Sequence, residues 1–242
     1  MADEPNVLCI SIDSLRADFV SCLGAEHETT PALDGLATDG TLYTQAVAPS
    51  IWTLPVHASV FTGLYPPEHR LIDTTEVLGD HPTFAELLRE ASYETEAFYY
   101  NRWLDVGDVL RGFAGDSSEP DPSPSLTTHV ANYLDRVSPA LKSIAGDVYH
   151  GAKTRRRHAL QGRFPRSERD ETQLSELLTS LEDVSEPFCY FFHTNATHSP
   201  YTPPRPHHRA FTDRSALGLF WNRAYWQQKI YENQPKGWVG EL

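Results

Sequence analysis

Between Asn6 and Asp13 the chain reads NVLCISID, a short apolar run that stops on a carboxylate. A run of this kind suits a strand covered on both faces, as in a parallel sheet. TPALDGLATDG (30–40) opens on Thr-Pro and closes on Gly40, the punctuation of a short helix. TLYTQAVA (41–48) alternates as a strand does, and LPVHASVFTG (54–63) reads as a helix stopped at Gly63. TFAELLREAS (83–92) is an amphipathic helix with Thr83 as its candidate cap, and YETEAFYY (93–100) is the next strand. Further on, ETQLSELLTSLEDV (171–184) is a clean amphipathic helix. It leads into PFCYFFHTN (187–195), an apolar strand running out into a polar loop.

Strands and helices in alternation predict an α/β fold, a mostly parallel sheet flanked by helices. GDSSEPDPSPS (115–125) is a Pro/Ser/Asp-rich loop, and 115–170 as a whole reads as an irregular insertion. Within it, KTRRRHALQGRFPR (153–166) is a basic island, a solvated face or a contact for an anionic substrate. No internal repeat is visible. The aromatic-rich stretch 219–242 supplies neither a stop signal nor a closing strand.

Composition narrows the class. The chain has 242 residues, 40% of them hydrophobic, and a net charge of −13. Four lysines against sixteen arginines, among thirty-three acidic residues, give an acidic and lysine-poor surface. Such a surface repels nucleic acid and anionic lipid, and it suits a halophile-like, high-salt setting where self-repulsion is screened. Cys9, Cys22 and Cys189 are odd in number and widely spaced, and Cys9 and Cys189 sit in apolar runs, which predicts buried free thiols. The opening apolar run is too short for a signal peptide or a membrane span, so a cytoplasmic protein is expected.

Chemistry-bearing residues gather at predicted strand and helix ends. Asp13 closes the first strand, where ligands of open parallel sheets collect, and is either a metal ligand or a turn cap. Pro55 belongs in the first turn of a helix, which puts Thr53 at or just before the N-cap. There the hydroxyl is a plain cap, or a nucleophile facing an anion held at the helix tip. A cation on Asp13 could activate such a hydroxyl. His57 lies one turn further in, on the Thr53 side, and His69 and His198 are loop histidines. His193 and His198 also permit a zinc-pair reading, though with no Cys or carboxylate nearby. Asn195-Ala-Thr197 matches a glycosylation sequon, and Ser59 or Ser11 could found a serine hydrolase, but no G-x-S-x-G elbow accompanies them.

Four ordered blocks, PNVLCISIDSLRAD (5–18), TPALDGLATDGTLYTQAVAPS (30–50), TLPVHASVFTGLYPPEH (53–69) and FFHTNATHSPYTPP (191–204), together resemble the sulfatase family of the alkaline phosphatase superfamily. The resemblance implies an alkaline phosphatase-like fold, a divalent metal ion (Ca, Mn or Zn) and a small-molecule or glycan sulfate or phosphate ester as substrate. It carries Asp13 over as a metal ligand, Thr53 as nucleophile and metal contact, and His198 as a substrate contact. Arg16 and Asp18 match the D-x-L-R-A-D form of the first block, which makes Arg16 a substrate-binding candidate; His57 is either an ordinary partly buried histidine or, if charged, a catalytic contact to an ester oxygen or to Thr53.

Departures from the pattern sharpen the expectation. The family's Cys/Ser-x-Pro-x-Arg motif yields a formylglycine; here Thr53 and His57 occupy its first and last positions, and threonine cannot give that aldehyde. Thr53 instead resembles the threonine nucleophiles of the superfamily's phosphodiesterases and phosphoethanolamine-type transferases. Ser14 stands where many members carry a second acidic ligand, and no Asp-His-Gly block occurs. The expectation is therefore the N-terminal part of a sulfatase-like catalytic domain (1–242), with the C-terminal half of the fold missing. A metal-dependent ester hydrolase or transferase is the leading function, and an inactive pseudo-enzyme or binding module is the alternative.

Overall fold

The computed structural model describes residues 4–114 and 165–198, with the backbone alone for 165–169. In chain order it contains β1 (Val7–Ile12), two short 3-10 turns, α1 (Pro31–Asp39), α2 (Thr53–Thr62), α3 (Pro66–His69), α4 (Phe84–Glu90), β2 (Glu94–Tyr99), α5 (Pro165–Glu182) and β3 (Phe188–Thr194). The three strands form a parallel sheet in the order β1-β3-β2, with Ile12 opposite Thr194 and Tyr99 opposite His193. All three carboxyl ends therefore emerge on one edge. The fold is the expected mixed α/β arrangement, a parallel sheet flanked by helices.

Strand period places the core. Successive side chains point to opposite faces. Ala97, Tyr99 and Phe191 therefore turn one way, onto Leu54, Ala58 and Phe61 of α2, while Phe98, Tyr190 and Phe192 turn the other way, onto Leu177 of α5. Phe61 is the aromatic hub of the first face, meeting Phe84, Phe113 and Phe191 edge-on at 5.0–5.5 Å between centroids. β3 is central and covered on both faces, which is why its residues 188–192 form an unbroken apolar run. α2 is buried at Leu54, Pro55, His57, Ala58, Ser59 and Phe61, too many sides for a surface helix. It stops at Gly63, whose φ of 72° is the left-handed cap that glycine adopts without a steric cost.

Two expectations are corrected. Residues 41–48 form no strand: Leu42, Tyr43 and Val47 are all exposed, and the segment has no strand neighbour among the described residues. Alternation alone cannot hold an extended segment without a ladder. Helix α5 begins at Pro165, inside the stretch 115–170 expected to be irregular. The rest of that stretch, its basic island, and residues 219–242 lie outside the described residues. Cys189 is buried, Cys9 and Cys22 are half-buried, and all three are free thiols. Among the described residues no helix is long and apolar enough to cross a membrane.

Candidate active site

Asp13 follows directly on β1, and its N–H still donates to the Thr194 carbonyl (3.0 Å), so the sheet itself fixes where the carboxylate starts. The next residue, Ser14, takes a left-handed φ of 61°, a costly conformation for a non-glycine residue. The turn brings its hydroxyl back to donate to Asp13 Oδ1 at 2.7 Å. Across the edge, Trp52 caps α2 and Thr53 is its first helical residue. Thr53 Oγ1 donates to Asp13 Oδ2 at 3.2 Å, so hydroxyl and carboxylate share one space at the positive end of the helix.

His57 sits behind this pair. One turn into α2 and 6% exposed, it donates from Nδ1 to the Thr53 carbonyl (2.8 Å), which leaves Nε2 to accept from the Ser11 hydroxyl (3.0 Å). Burial pushes its pKa down to about 4; the bond to the Thr53 carbonyl and the Asp13 carboxylate act the other way, and the His193 ring adds to the depression. A neutral imidazole with both nitrogens engaged supports the backbone and the strand. Its described bonds do not run to the Thr53 hydroxyl.

Three further residues join the cluster: Asn101, which the sequence reading passed over, Asn195, noted there only as a sequon, and His193, noted there as half of a zinc pair. The Asn101 side-chain amide donates to Asp13 Oδ2 and to Asn195 Oδ1, each at 3.2 Å, and its own oxygen accepts from the Trp103 N–H. Asn195 donates to the Tyr100 carbonyl at 2.5 Å and is nearly buried, so the sequon asparagine is a wired part of the interior. His193 is fully buried with Nε2 3.5 Å from Asp13 Oδ2, and neither ring nitrogen has a hydrogen-bond partner among the described residues. Asn101 and Asn195 shared one legible signal with Asp13: each lies just beyond the carboxyl end of a strand.

Burial alone would raise the Asp13 pKa. The polar contacts of His193 and Ser14, and the nearby His198 and His193 rings, outweigh it and hold the carboxyl well below the usual range. His198 is half-buried on the loop after β3, its N–H bonded to the Asn195 carbonyl (2.9 Å). Thr197 ties that loop to the Asp13 carbonyl at 2.6 Å. Arg16 pairs with Asp18 at the surface (2.5 Å), and its guanidinium lies over Phe19. Ser59 is bonded to His69 (3.0 Å), whose other ring nitrogen accepts from the Leu71 N–H. That buried link joins α2 to the following turn.

Oxygen donors around a carboxylate suit a hard divalent cation, which takes about six of them. Asp13 and Thr53 fit as two ligands of such an ion. Among the described residues no group of three His, Cys, Asp or Glu side chains converges, so they do not form a complete cage, and the zinc-pair reading of His193 and His198 finds no third ligand there.

A strand-end carboxylate thus faces a hydroxyl at a helix tip, at the carboxyl edge of a parallel sheet. The family profile Sulfatase matches residues 5–222, and the chain belongs to that family. It is 23% identical over 233 residues to an N-acetylglucosamine-6-O-sulfatase of Bacteroides thetaiotaomicron, covering 92% of this chain and 34% of that one. Over 105 residues it is 33% identical to an N-acetylgalactosamine-6-O-sulfatase of the same organism, covering 39% and 20%. The fold resembles the phosphonate monoester hydrolase of Agrobacterium radiobacter, with a TM-score of 0.62 and 23% identity, over 86% of this chain and 44% of that one. The chain thus spans less than half the length of each of these proteins.

Proposed function

We propose that this chain carries the nucleophile side of a metal-dependent hydrolase or transferase for sulfate or phosphate esters, with Thr53 as the nucleophile. The observation that carries the reading is the 3.2 Å contact between Thr53 Oγ1 and Asp13 Oδ2 at the amino end of α2. Asp13 and Thr53 would hold a divalent cation, Ca, Mn or Zn. When bound, the cation supplies charge neutralisation of the ester and a lowered pKa for the Thr53 hydroxyl. Asp13 is a weak base for that proton, because the hydrogen bonds it accepts from Ser14, Thr53 and Asn101 stabilise its charged form.

Thr53 Oγ1 attacks the phosphorus or sulfur in line. The new bond to Thr53 forms as the bond to the alcohol oxygen breaks; the Thr53 proton passes to solvent, and the alcohol takes up a proton from solvent as it leaves. Water, or another acceptor, then attacks the same centre and releases Thr53. The positive end of α2 and the His198 side chain hold the non-bridging oxygens, where charge grows in the transition state. His57 keeps the first turn of α2 in place behind the nucleophile. Names of relatives that act on sulfated amino sugars support a glycan ester as substrate. A threonine, which cannot become formylglycine, favours phosphorus over sulfur.

Incubation of the protein with an aryl sulfate and an aryl phosphate diester, each with Ca²⁺, Mn²⁺ or Zn²⁺, tests this reading. Metal-dependent turnover lost in T53A supports it, and turnover unchanged in T53A removes it. A second reading, a binding module without turnover, is favoured by the single carboxylate in the described cluster. It predicts no tight divalent-metal binding.

A further inference from the structure

Helix α5 brings a carboxylate to the back of this site. Asp170 lies seven and eleven residues before Leu177 and Leu181, on the stripe that packs against Phe98, Tyr190 and Phe192. An apolar side chain would be the ordinary occupant of that position. Asp170 is instead 8% exposed, and burying a carboxylate is costly unless hydrogen bonds compensate. Its Oδ2 accepts from the Thr194 hydroxyl (3.0 Å) and from the Asn195 N–H (3.1 Å), the last residue of β3 and the first of the loop that follows.

From those two residues the bonds run straight to Asp13. The Thr194 carbonyl accepts from the Asp13 N–H at 3.0 Å, while the Thr194 hydroxyl accepts from the Ala196 N–H at 3.1 Å and so shapes the loop. Asn195 Oδ1 accepts from Asn101, whose second amide hydrogen goes to Asp13 Oδ2 (both 3.2 Å). Each donor on the Asn101 amide therefore has one acceptor, and the Trp103 N–H on its oxygen fixes which way the amide faces. Rotating Asn195 would release Asn101, and Asn101 would release Asp13.

We infer that Asp170 is a positioning residue: it touches neither substrate nor metal, but through Asn195 and Asn101 it sets the orientation in which Asp13 is offered to the cation. The inference rests on the reading of Asp13 as a metal ligand. A buried carboxylate that only stapled α5 to β3 would affect stability and nothing at Asp13. Partners of a ligating carboxylate that are lost in this way typically cost about 10–100-fold in metal affinity.

The test compares wild type, D170A, D170N and L177A in the 242-residue chain, the last removing core packing from the same helix without touching the bond relay. Two readouts are taken below the unfolding temperature of every variant: Mn²⁺ affinity, from the spectrum of free Mn²⁺, and the metal-free nitrogen–proton spectrum with hydrogen exchange. The expected result is Mn²⁺ affinity about tenfold weaker or more in D170A, and largely restored in D170N. D170A also shifts the Asn101 side-chain amide and speeds exchange at the Asn195 and Asp13 N–H groups, and L177A does neither. An Asn101 amide and an Asp13 N–H unmoved in both D170A and D170N would overturn the inference. Wild type that binds no Mn²⁺ would instead sink the metal reading, and the metal-free spectra would still decide whether Asp170 orients Asp13.

Discussion

The Thr53 hydroxyl lies 3.2 Å from Asp13 Oδ2, although forty positions separate the two residues in the chain. One is fixed by the end of a strand and the other by the first turn of a buried helix, so neither depends on a loop for its place. If this pair is the reacting centre, T53A should cost about a thousandfold or more in kcat/KM. T53S keeps a hydroxyl at the same atom and should retain a measurable fraction of the rate. Steady-state assays with an aryl phosphate diester separate the two variants. Equal losses in both would mean that the hydroxyl is not the group that matters.

Asp13→Asn keeps the shape and removes the charge. Divalent-metal affinity should fall by more than the roughly 10–100-fold that outer partners of a ligand cost. Without metal the same variant should fold less stably than wild type near neutral pH, because the contacts that hold the Asp13 carboxyl below its usual range favour the charged form, and an amide accepts fewer of the bonds from Ser14, Thr53 and Asn101. Calorimetric metal titration and a thermal melt measure the two effects independently.

His57 gives a pH prediction. Its folded-state pKa is depressed from 6.5 to about 4, so between those values the unfolded chain binds a proton that the folded chain refuses. Stability then rises with pH in that window. The contribution of neutral His57 is complete above 6.5 and lost as pH falls toward 4, a difference of about 3 kcal/mol at most. Urea midpoints measured from pH 7.5 downward should fall more steeply in wild type than in His57→Gln. Parallel slopes would show that the ring is not buried as a neutral group.

Phe61 tests the core that carries α2. Its ring meets those of Phe84, Phe113 and Phe191, and it is 1% exposed. Phe61→Ala should destabilise the fold by about 3–5 kcal/mol. Because Thr53 rides on the same helix, activity should decline with temperature in step with unfolding and not before it.

The sequence announced those parts of the molecule whose pattern is local. PFCYFFHTN reads as a buried strand because β3 is covered by α2 on one face and α5 on the other. Thr53-Leu-Pro55 reads as a helix start because proline is favoured in a first turn. TLYTQAVA misled for the complementary reason: its alternation is real, but pairing is a tertiary event, and Leu42, Tyr43 and Val47 meet no neighbouring strand among the described residues. Asp13 and Thr53 were legible from their element ends. Asn101 and Asn195 carried the same strand-end signal, but nothing local tied them to one carboxylate, and nothing in SERDET signals that Asp170 will meet the end of β3.

The most direct measurement is an acid-quenched turnover of the metal-loaded protein with a phosphate diester, followed by peptide mass mapping. The account predicts a phosphoryl group on the peptide that carries Thr53, absent in T53A and absent without metal. Steady turnover that leaves no group on that peptide, and that survives in T53A, would contradict it.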